Sequence, residues 1–229
     1  MKNRTRTFGA ALALAFFVAL TPVDAQAQGM MEDGMSALSV DARGGIAVPM
    51  GDLGDLADVG PTVGIGVAYR VSPRLSVRVD GDLDLYSGAD FGATSAAQPS
   101  APDMTLWHYS GGLQYDVTEP GSSGLSVSAN VGAGATIVDT DPFVGGPVEN
   151  PETGEIEADF NETYFTANGG VRIGYAVHDR VDVYGGAQWY VTFADEEHTA
   201  VFSALSPTEA NAFDRAYSVP LTLGVKLKF

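Results

Sequence analysis

The sequence predicts an all-β protein, an eight-stranded antiparallel up-and-down transmembrane β-barrel. Three observations predict it: eight segments in which apolar and polar residues alternate, connections that are by turns short and long, and a secretory signal at the N-terminus. Alternation at period two marks a strand whose two faces meet different surroundings. Strands of about ten residues, joined by short turns at one end and longer loops at the other, are typical of outer-membrane barrels.

The N-terminus has the order of a secretory signal peptide. Lys2, Arg4 and Arg6 precede an apolar run from Phe8 to Leu20, and the small-residue pattern Ala25-Gln26-Ala27 follows. That order is typical of a cleaved signal peptide, and the run is shorter than the roughly 20 residues of a membrane-spanning helix. We therefore expect a signal peptide at 1–27, a short flexible segment at 28–37 and a barrel at 38–229.

Eight segments carry the alternating pattern. They are 38–48, 62–71, 75–86, 105–117, 125–138, 163–177, 181–193 and 215–229. The third is the most regular, with Ser76, Arg78, Asp80, Asp82 and Asp84 on its polar face. In the eighth segment, Pro220 has no N–H to donate to a ladder. We expect a bulge or a weak point in the pairing there.

The connections differ in length and in charge. The short ones are 72–74, 118–124 and 178–180, and the long ones are 49–61, 87–104, 139–162 and 194–214. Positions 49–60, 87–104, 139–161 and 194–213 together hold 16 Asp and Glu and no Lys or Arg. Basic residues lie near the opposite end, at Arg70, Arg74, Arg180, Lys226 and Lys228. The short turns are expected to face the periplasm and the long acidic loops the outside.

Composition excludes several functions. Without residues 1–27 the chain has nine Lys and Arg and 28 Asp and Glu, a formal charge of −19. Nucleic-acid binding is excluded as a function, because phosphate recognition needs clustered basic residues. The chain has no cysteine, so it can form no disulfide, no cysteine-ligated zinc site and no lipid-modified cysteine. We expect no cofactor.

Two features of the alternating faces favour a barrel in lipid over a soluble one. The polar face is rich in small residues and in paired opposite charges, as a narrow lumen requires. Aromatic residues of the apolar face concentrate near the strand ends, where interfacial girdles form. The apolar face is therefore predicted to meet lipid.

Charged residues of the polar face fall in two or three adjacent layers of the predicted lumen. They are Asp41, Arg43, Arg78, Asp80, Asp82 and Arg172. This lumen charge network could gate a narrow conduction path, or it could be a charge-satisfied plug. We favour the plug, because eight strands enclose an interior that side chains can fill.

A catalytic alternative uses Asp84, His108 and Ser110, which share the polar face at similar depth. A nucleophilic serine needs a base within hydrogen-bond reach and an acid that orients the base. The same residues also suit an ordinary polar lumen, and no GxSxG elbow is present. We expect no catalytic residues and no enzymatic activity.

The loop 139–162 offers carboxylates to hard cations such as calcium. Its spacing is not that of an EF-hand, and we expect no dedicated metal site. Weak divalent bridging between the acidic loops and lipopolysaccharide phosphates is the favoured interaction.

The stretch PMGDLGD…GPTVGIGVAYRVSPRLSVRVDGDLDLY (49–86) and the ending VPLTLGVKLKF (219–229) resemble the outer-membrane β-barrel domain proteins related to the small OmpA, OmpX and opacity-type barrels. The resemblance covers essentially the whole chain after the signal. It implies a bacterial outer-membrane location and a C-terminal signal that is read by the barrel-assembly machinery. The matching residues are Leu221, Leu223, Val225, Leu227 and Phe229.

The sequence leads to a functional hypothesis with two alternatives. We expect a non-enzymatic outer-membrane protein with a structural or surface-interaction role through its acidic loops. OmpA-type proteins often add a peptidoglycan-binding domain, whereas the present sequence ends at Phe229, so we expect no such tether. Outer-membrane lipids and lipopolysaccharide are the expected partners, and the surface partner stays unspecified. The alternatives are a small passive, porin-like channel and, more distantly, a lipid- or peptide-modifying enzyme.

Overall fold

The computed structural model describes residues 37–51, 53–54, 57–88, 103–118, 124–140, 148–149, 156–157, 160–193 and 215–229. The predicted signal peptide and residues 28–36 lie outside this part of the chain, as do most positions of the long loops. The strands are β1 (Leu38–Met50), β2 (Gly60–Ser72), β3 (Leu75–Tyr86), β4 (Met104–Asp116), β5 (Leu125–Thr140), β6 (Val148–Glu149), β7 (Ile156–Glu157), β8 (Phe160–His178), β9 (Val181–Phe193) and β10 (Arg215–Lys228).

Eight of these strands close into a barrel, which confirms the predicted fold class. The order around it is β1, β2, β3, β4, β5, β8, β9, β10, and all neighbours are antiparallel. β10 returns to β1 in continuous register, from Ser39 with Lys228 to Met50 with Tyr217. The barrel is therefore closed by its first and last strands.

The strand bounds follow the sequence pattern closely. β3 and β9 have the predicted limits, and β8 begins three residues earlier than predicted because its pairing with β5 continues to Thr140 with Phe160. β6 and β7 form a separate two-residue ladder inside the third long connection. A segment of two residues is too short to show a period, which is why the sequence did not predict this ladder.

The two faces of the barrel wall differ as predicted. Large apolar side chains face outward and are exposed, Leu223 at 75% and Ile65 at 66%. On β3, by contrast, Ser76 and every second residue up to Tyr86 are buried inside. The girdle aromatics also face outward: Tyr69, Trp107, Tyr109, Tyr115, Phe165, Tyr175, Trp189, Phe193 and Phe229. Among the described residues, no helix has the length and apolarity needed to cross a membrane.

Pro220 weakens one ladder without bending it. The pairing of β10 with β9 runs to Ser218 with Tyr190 and resumes at Leu221 with Ala187, in the same register. On the other side, Pro220 keeps its place opposite Ala47 of β1. Of the two outcomes expected from the sequence, the structure has the weak point and not the bulge.

The connection between β1 and β2 was expected to be an external loop, and part of it is not. Leu53 and Ala57 are buried over the long-loop end of the lumen, where Ala57 bridges to Gly88. The backbone N–H of Asp58 also donates to the carbonyl of Ser87, at 2.9 Å. We call the resulting apolar cluster the outer cap; its members are Ala47, Leu53, Ala57, Tyr86, Met104, Leu106, Val138 and Tyr164.

Candidate functional site in the barrel lumen

The structure brings all six residues of the lumen charge network together. They project inward from three strands, Asp41 and Arg43 from β1, three from β3, and Arg172 from β8. Their side chains are at most 11% exposed. Three guanidinium groups meet three carboxylates, so the formal charge of the network is zero.

Arg43 contacts all three carboxylates of the network. Its Nε and Nη2 atoms donate to the two carboxylate oxygens of Asp82 at 2.8 and 2.6 Å, a bidentate contact. Its Nη1 donates to Asp41 at 3.0 Å, and its Nη2 lies 2.8 Å from Asp80. Bidentate contacts fix the geometry of both partners, so Arg43 joins all three carboxylates into one rigid unit.

Arg78 repeats this arrangement one layer nearer the short turns. Its Nε and Nη2 donate to Asp80 at 2.7 and 2.6 Å, and Nη2 lies 2.7 Å from Asp41. Arg172 is held more loosely, 3.4 Å from Asp41 and 3.6 Å from Asp80. Its guanidinium also lies 5.0 Å from the ring centroid of Tyr184, within cation–π range.

Two tyrosines that were not singled out from the sequence complete the network. The hydroxyl of Tyr184 donates to Asp41 at 2.6 Å, and that of Tyr190 donates to Asp82. Tyr184 and Tyr190 are separated from Asp182 by an even number of residues on β9, so all three side chains face the same side of the strand. This spacing could have predicted that both tyrosines face the lumen. With them, the carboxylates accept bonds from phenols as well as from guanidinium groups.

Gly64 and Gly66 of β2 provide the space for the network. They lie directly opposite Asp82 and Asp80 in the register. A Cβ on Gly64 would lie 1.9 Å from Oδ1 of Asp82, and one on Gly66 would lie 2.1 Å from Nη2 of Arg78. The Gly-x-Gly pair therefore serves as a flat wall against which the ion pairs pack.

A second polar layer lies between the lumen charge network and the outer cap. Nε2 of His108 lies 3.2 Å from Asp84, and its Nδ1 lies 2.7 Å from Oγ1 of Thr136. Thr136 continues to Thr166 at 2.6 Å. Asp84 also accepts from Thr62 at 2.6 Å, from Ser218 at 2.7 Å and from Tyr86 at 3.2 Å.

This layer does not assemble the triad considered from the sequence. Asp84 and His108 do meet, but the hydroxyl bonded to the imidazole is that of Thr136, and Ser110 lies across from Asp80. The side chains of His108 and Thr136 are at most 1% exposed, and the Tyr190 ring stacks on the imidazole at 4.2 Å. A nucleophile must reach its substrate, and this hydroxyl is enclosed by protein.

Two small voids lie beside the lumen charge network. One of about 20 Å³ adjoins Arg172 and Lys226, and one of about 10 Å³ adjoins Arg43 and Pro220. A void must offer about 10–15 Å³ to hold one water molecule. Each of the two spaces therefore has room for about one water.

The short-turn end carries its own ion pairs. Asp182 accepts from Lys228 at 2.7 Å and lies 2.8 Å from Lys226, while Arg70 lies 3.4 Å from Asp116. The residues of the suggested assembly signal lie on the outer face of β10 and at its end. All five are exposed: Leu221, Leu223, Val225, Leu227 and Phe229.

The acidic loop 139–162, for which no dedicated metal site was expected, falls mostly outside the described residues. Within the part of the chain that the structure describes, no group of three or more His, Cys, Asp or Glu is placed to hold a metal ion.

A closed antiparallel barrel with an apolar outer wall and a polar, ion-paired lumen defines a transmembrane β-barrel, since only a closed sheet satisfies its backbone in lipid. The family model of the outer membrane protein beta-barrel domain matches residues 9–229, and the chain belongs to that family. It is an outer-membrane β-barrel protein.

Solved structures of small barrels share the fold. The neisserial surface protein A is 19% identical, with 86% of this chain and 100% of that chain covered and a TM-score of 0.55. OprG from Pseudomonas aeruginosa is 12% identical, with 86% of this chain and 99% of that chain covered and a TM-score of 0.51. Ail, the attachment invasion locus protein of Yersinia pestis, is 10% identical, with 85% of this chain and 100% of that chain covered and a TM-score of 0.50. No curated protein matches the sequence. At these identities the likeness concerns the fold alone.

Proposed function

We propose that this protein is a closed, non-enzymatic barrel that anchors its long acidic loops at the cell surface, with a structural or surface-interaction role. The observation that carries the proposal is the filled lumen. Three arginines and three aspartates saturate one another across the barrel, and both tyrosine donors point into them. A barrel whose lumen is blocked in this way supports the loops, and the loops are the part that interacts with the surroundings.

The energetics of the lumen charge network support a permanent plug. Removing one partner from a buried ion pair typically costs about 3–5 kcal/mol, because the remaining charge is left desolvated. A conducting state would have to separate Arg43 and Arg78 from carboxylates that each holds in a bidentate contact. Ion passage by that route would break both of these bidentate contacts.

The outer cap supplies a second barrier in series with the first. Leu53 and Ala57 lie over Leu106 and Met104 at the long-loop end of the lumen, and all four side chains are buried. Apolar constrictions exclude water and can block conduction by dewetting. An ion that has passed the loops would meet this apolar layer before it reached the lumen charge network.

The surface chemistry follows from the loop composition. The 16 acidic and zero basic residues of the long loops give this end of the molecule a strongly negative potential. Oxygen-rich, negative surfaces bridge to phosphates through divalent cations. We propose lipopolysaccharide phosphates as the loop partner in that bridged form, and recognition of the C-terminal strand by the barrel-assembly machinery during biogenesis.

Single-channel recording on refolded protein in planar bilayers tests the closed barrel. The expected result is no reproducible conductance. A double variant that weakens both barriers, Arg43→Ser with Leu53→Ser, is the comparison and should give discrete ohmic steps more often than the unmodified protein. Reproducible steps from the unmodified protein would contradict the proposal and favour the passive channel.

The absence of enzymatic activity is tested separately. Envelope lipids are profiled, and ester hydrolysis is assayed, for the unmodified protein and for the variants His108→Asn, Thr136→Val and Ser110→Ala. We expect identical profiles and no hydrolysis above background. Hydrolysis that one of these substitutions abolishes, while the variant stays folded, would establish the enzyme instead.

A further inference from the structure

The outer wall of the barrel has a groove of about 630 Å³ on its lipid-facing side. It runs over β8, β9, β10 and the middle of β1, and Leu125 of β5 also lines it. Its floor includes Gly185 and Gly44, and its sides are formed by large apolar groups such as Ile173, Tyr175 and Leu223. Nothing in the proposed role of the lumen or the loops accounts for this groove.

The strand register explains its shape. Gly185 lies beside Ile173 on one side and Leu223 on the other, and Leu223 lies beside Gly44. Small and large residues therefore alternate around the wall at one level. The large ones project strongly into the surroundings, Ile173 at 58% and Leu223 at 75% exposure.

The backbone does not require glycine at this position. Gly185 has no positive φ, and a Cβ there would meet Cδ2 of Leu223 at 3.5 Å, an ordinary contact distance. A larger residue would fit and would fill the groove. The open space is thus a property of the side chains chosen here, and it can be removed without disturbing the lumen.

The depth of the groove selects one leaflet. Gly185 lies five residues after Arg180 in the turn between β8 and β9, about 16 Å along a strand at 3.3 Å per residue. The strands are tilted and the apolar band is about 25 Å tall. At a tilt of about 40° this distance is about 13 Å along the membrane normal, so Gly185 lies near the middle of the band. The groove extends from there toward the short turns, where its lining residues Tyr175 and Val183 lie, and this part of the wall faces the phospholipid leaflet and not the lipopolysaccharide leaflet.

Arg180 lies in the turn before β9, three residues before Val183 of the groove lining. Arg180 is exposed, and its backbone carbonyl accepts from the N–H of Lys228, which fixes the turn to β10. From this position the guanidinium can reach the headgroup level of the adjacent leaflet, and arginine pairs well with phosphate. Asp179 is exposed in the same turn and opposes that attraction.

We propose that this groove binds one glycerophospholipid of the periplasmic leaflet, with an acyl chain over Gly185 and the phosphate at Arg180. Acyl chains gain no hydrophobic free energy by leaving other lipid, so retention comes from close packing and from the charged contact. Both contributions are present at this place on the wall, and each can be removed separately.

Native mass spectrometry of the intact barrel in detergent, titrated with 1-palmitoyl-2-oleoyl-phosphatidylglycerol, tests the site. The fraction of protein that carries one lipid should fall by roughly threefold for Arg180→Gln, the scale of one exposed charge contact. Gly185→Leu should lower it at least as much, and Asp179→Asn should raise it. Gly111→Leu is the matched control, because Gly111 also faces outward at similar depth and a Cβ there would meet no atom nearer than 4.0 Å.

Each variant is first checked for the mobility shift of a folded barrel on unheated gels, and Gly185→Ala replaces the leucine variant if that fails to fold. Lipid binding that is equal in all variants, including Gly111→Leu, would overturn the proposal in favour of unspecific contact. It would also be overturned by a protein dimer that Gly185→Leu abolishes, or by displacement of the phospholipid by lipopolysaccharide at equal concentration.

Discussion

Gly66 shows how a residue without a side chain can determine the stability of a charged lumen. A Cβ at this position would lie 2.1 Å from Nη2 of Arg78 and 2.8 Å from Oδ1 of Asp80. Arg78 cannot move away freely, because its guanidinium is fixed by a bidentate contact with that same aspartate.

Gly66→Ala should therefore destabilise the barrel by about 1–3 kcal/mol, the usual cost of overpacking. Urea unfolding in lipid vesicles, followed by the fluorescence of Trp107 and Trp189, measures it. The control Gly111→Ala places the same methyl group on the outer face, where it has room. Equal unfolding midpoints for the two variants would show that Arg78 and Asp80 can move to accommodate the added methyl group at little cost in stability.

The pairing of Arg43 predicts a second effect at this scale. Arg43→Met should destabilise the barrel by about 3–5 kcal/mol, because it leaves Asp82 buried without its bidentate partner. The double variant Arg43→Met with Asp82→Leu restores a neutral cluster and should lose less stability than the single one. The same urea titration decides; a double variant less stable than Arg43→Met would show that the carboxylate does not depend on this arginine.

At the same scale, strand parity predicts which residues face inward but not which of them meet. The six charged residues could be predicted because they alternate with apolar ones on β1, β3 and β8. The partner of His108 could not be predicted, because it depends on the register between β4 and β5. Directly opposite residues on neighbouring strands are near contact, whereas residues two apart on one strand are separated by about 6.6 Å. Thr136 is directly opposite His108, and Ser110 is two residues away.

Among the elements, β10 carries the testable irregularity. Its ladder with β9 has no pair at Val219 or Pro220, although the register is unchanged. Pro220→Ala supplies the missing N–H and should restore pairing opposite Gln188, a gain of about 0.5–1.5 kcal/mol if one hydrogen bond forms.

Hydrogen–deuterium exchange followed by mass spectrometry measures this effect. Peptides that contain Gln188 should exchange more slowly in Pro220→Ala than in the unmodified barrel. Peptides from β4, on the other side of the barrel, serve as the internal reference and should not change. Faster exchange around Gln188 would mean that the proline ring stabilises this part of the wall by packing against the lumen, where it is buried.

The strand elements were predictable to within a few residues because each has a strong period of two. The outer cap was not. Leu53 and Ala57 come from a connection with no period at all, and its acidic neighbours Asp52 and Asp58 suggested a solvated loop. Their burial depends on apolar partners contributed by five strands, among them Leu106 of β4 and Val138 of β5. Such a tertiary contact leaves no local pattern.

For the molecule as a whole, closure predicts resistance to unfolding by dodecyl sulfate in the absence of heat. Every barrel strand is paired on both sides, so the sheet presents no free edge. The protein should therefore migrate differently on a dodecyl sulfate gel before and after boiling. Identical migration, or recovery of the protein in a soluble periplasmic fraction, would contradict a closed barrel in the membrane.

Closure by β1 and β10 also constrains how the molecule is made. The first strand cannot find its second partner until the last strand has been synthesised, because Ser39 pairs with Lys228 and Met50 with Tyr217. Until then the chain has two unsatisfied edges, which are prone to pair with other chains. Long-range pairing of this kind is also slow. The barrel can therefore close only once both ends of the barrel sequence are present together, which makes the pairing of β1 with β10 a late step of folding.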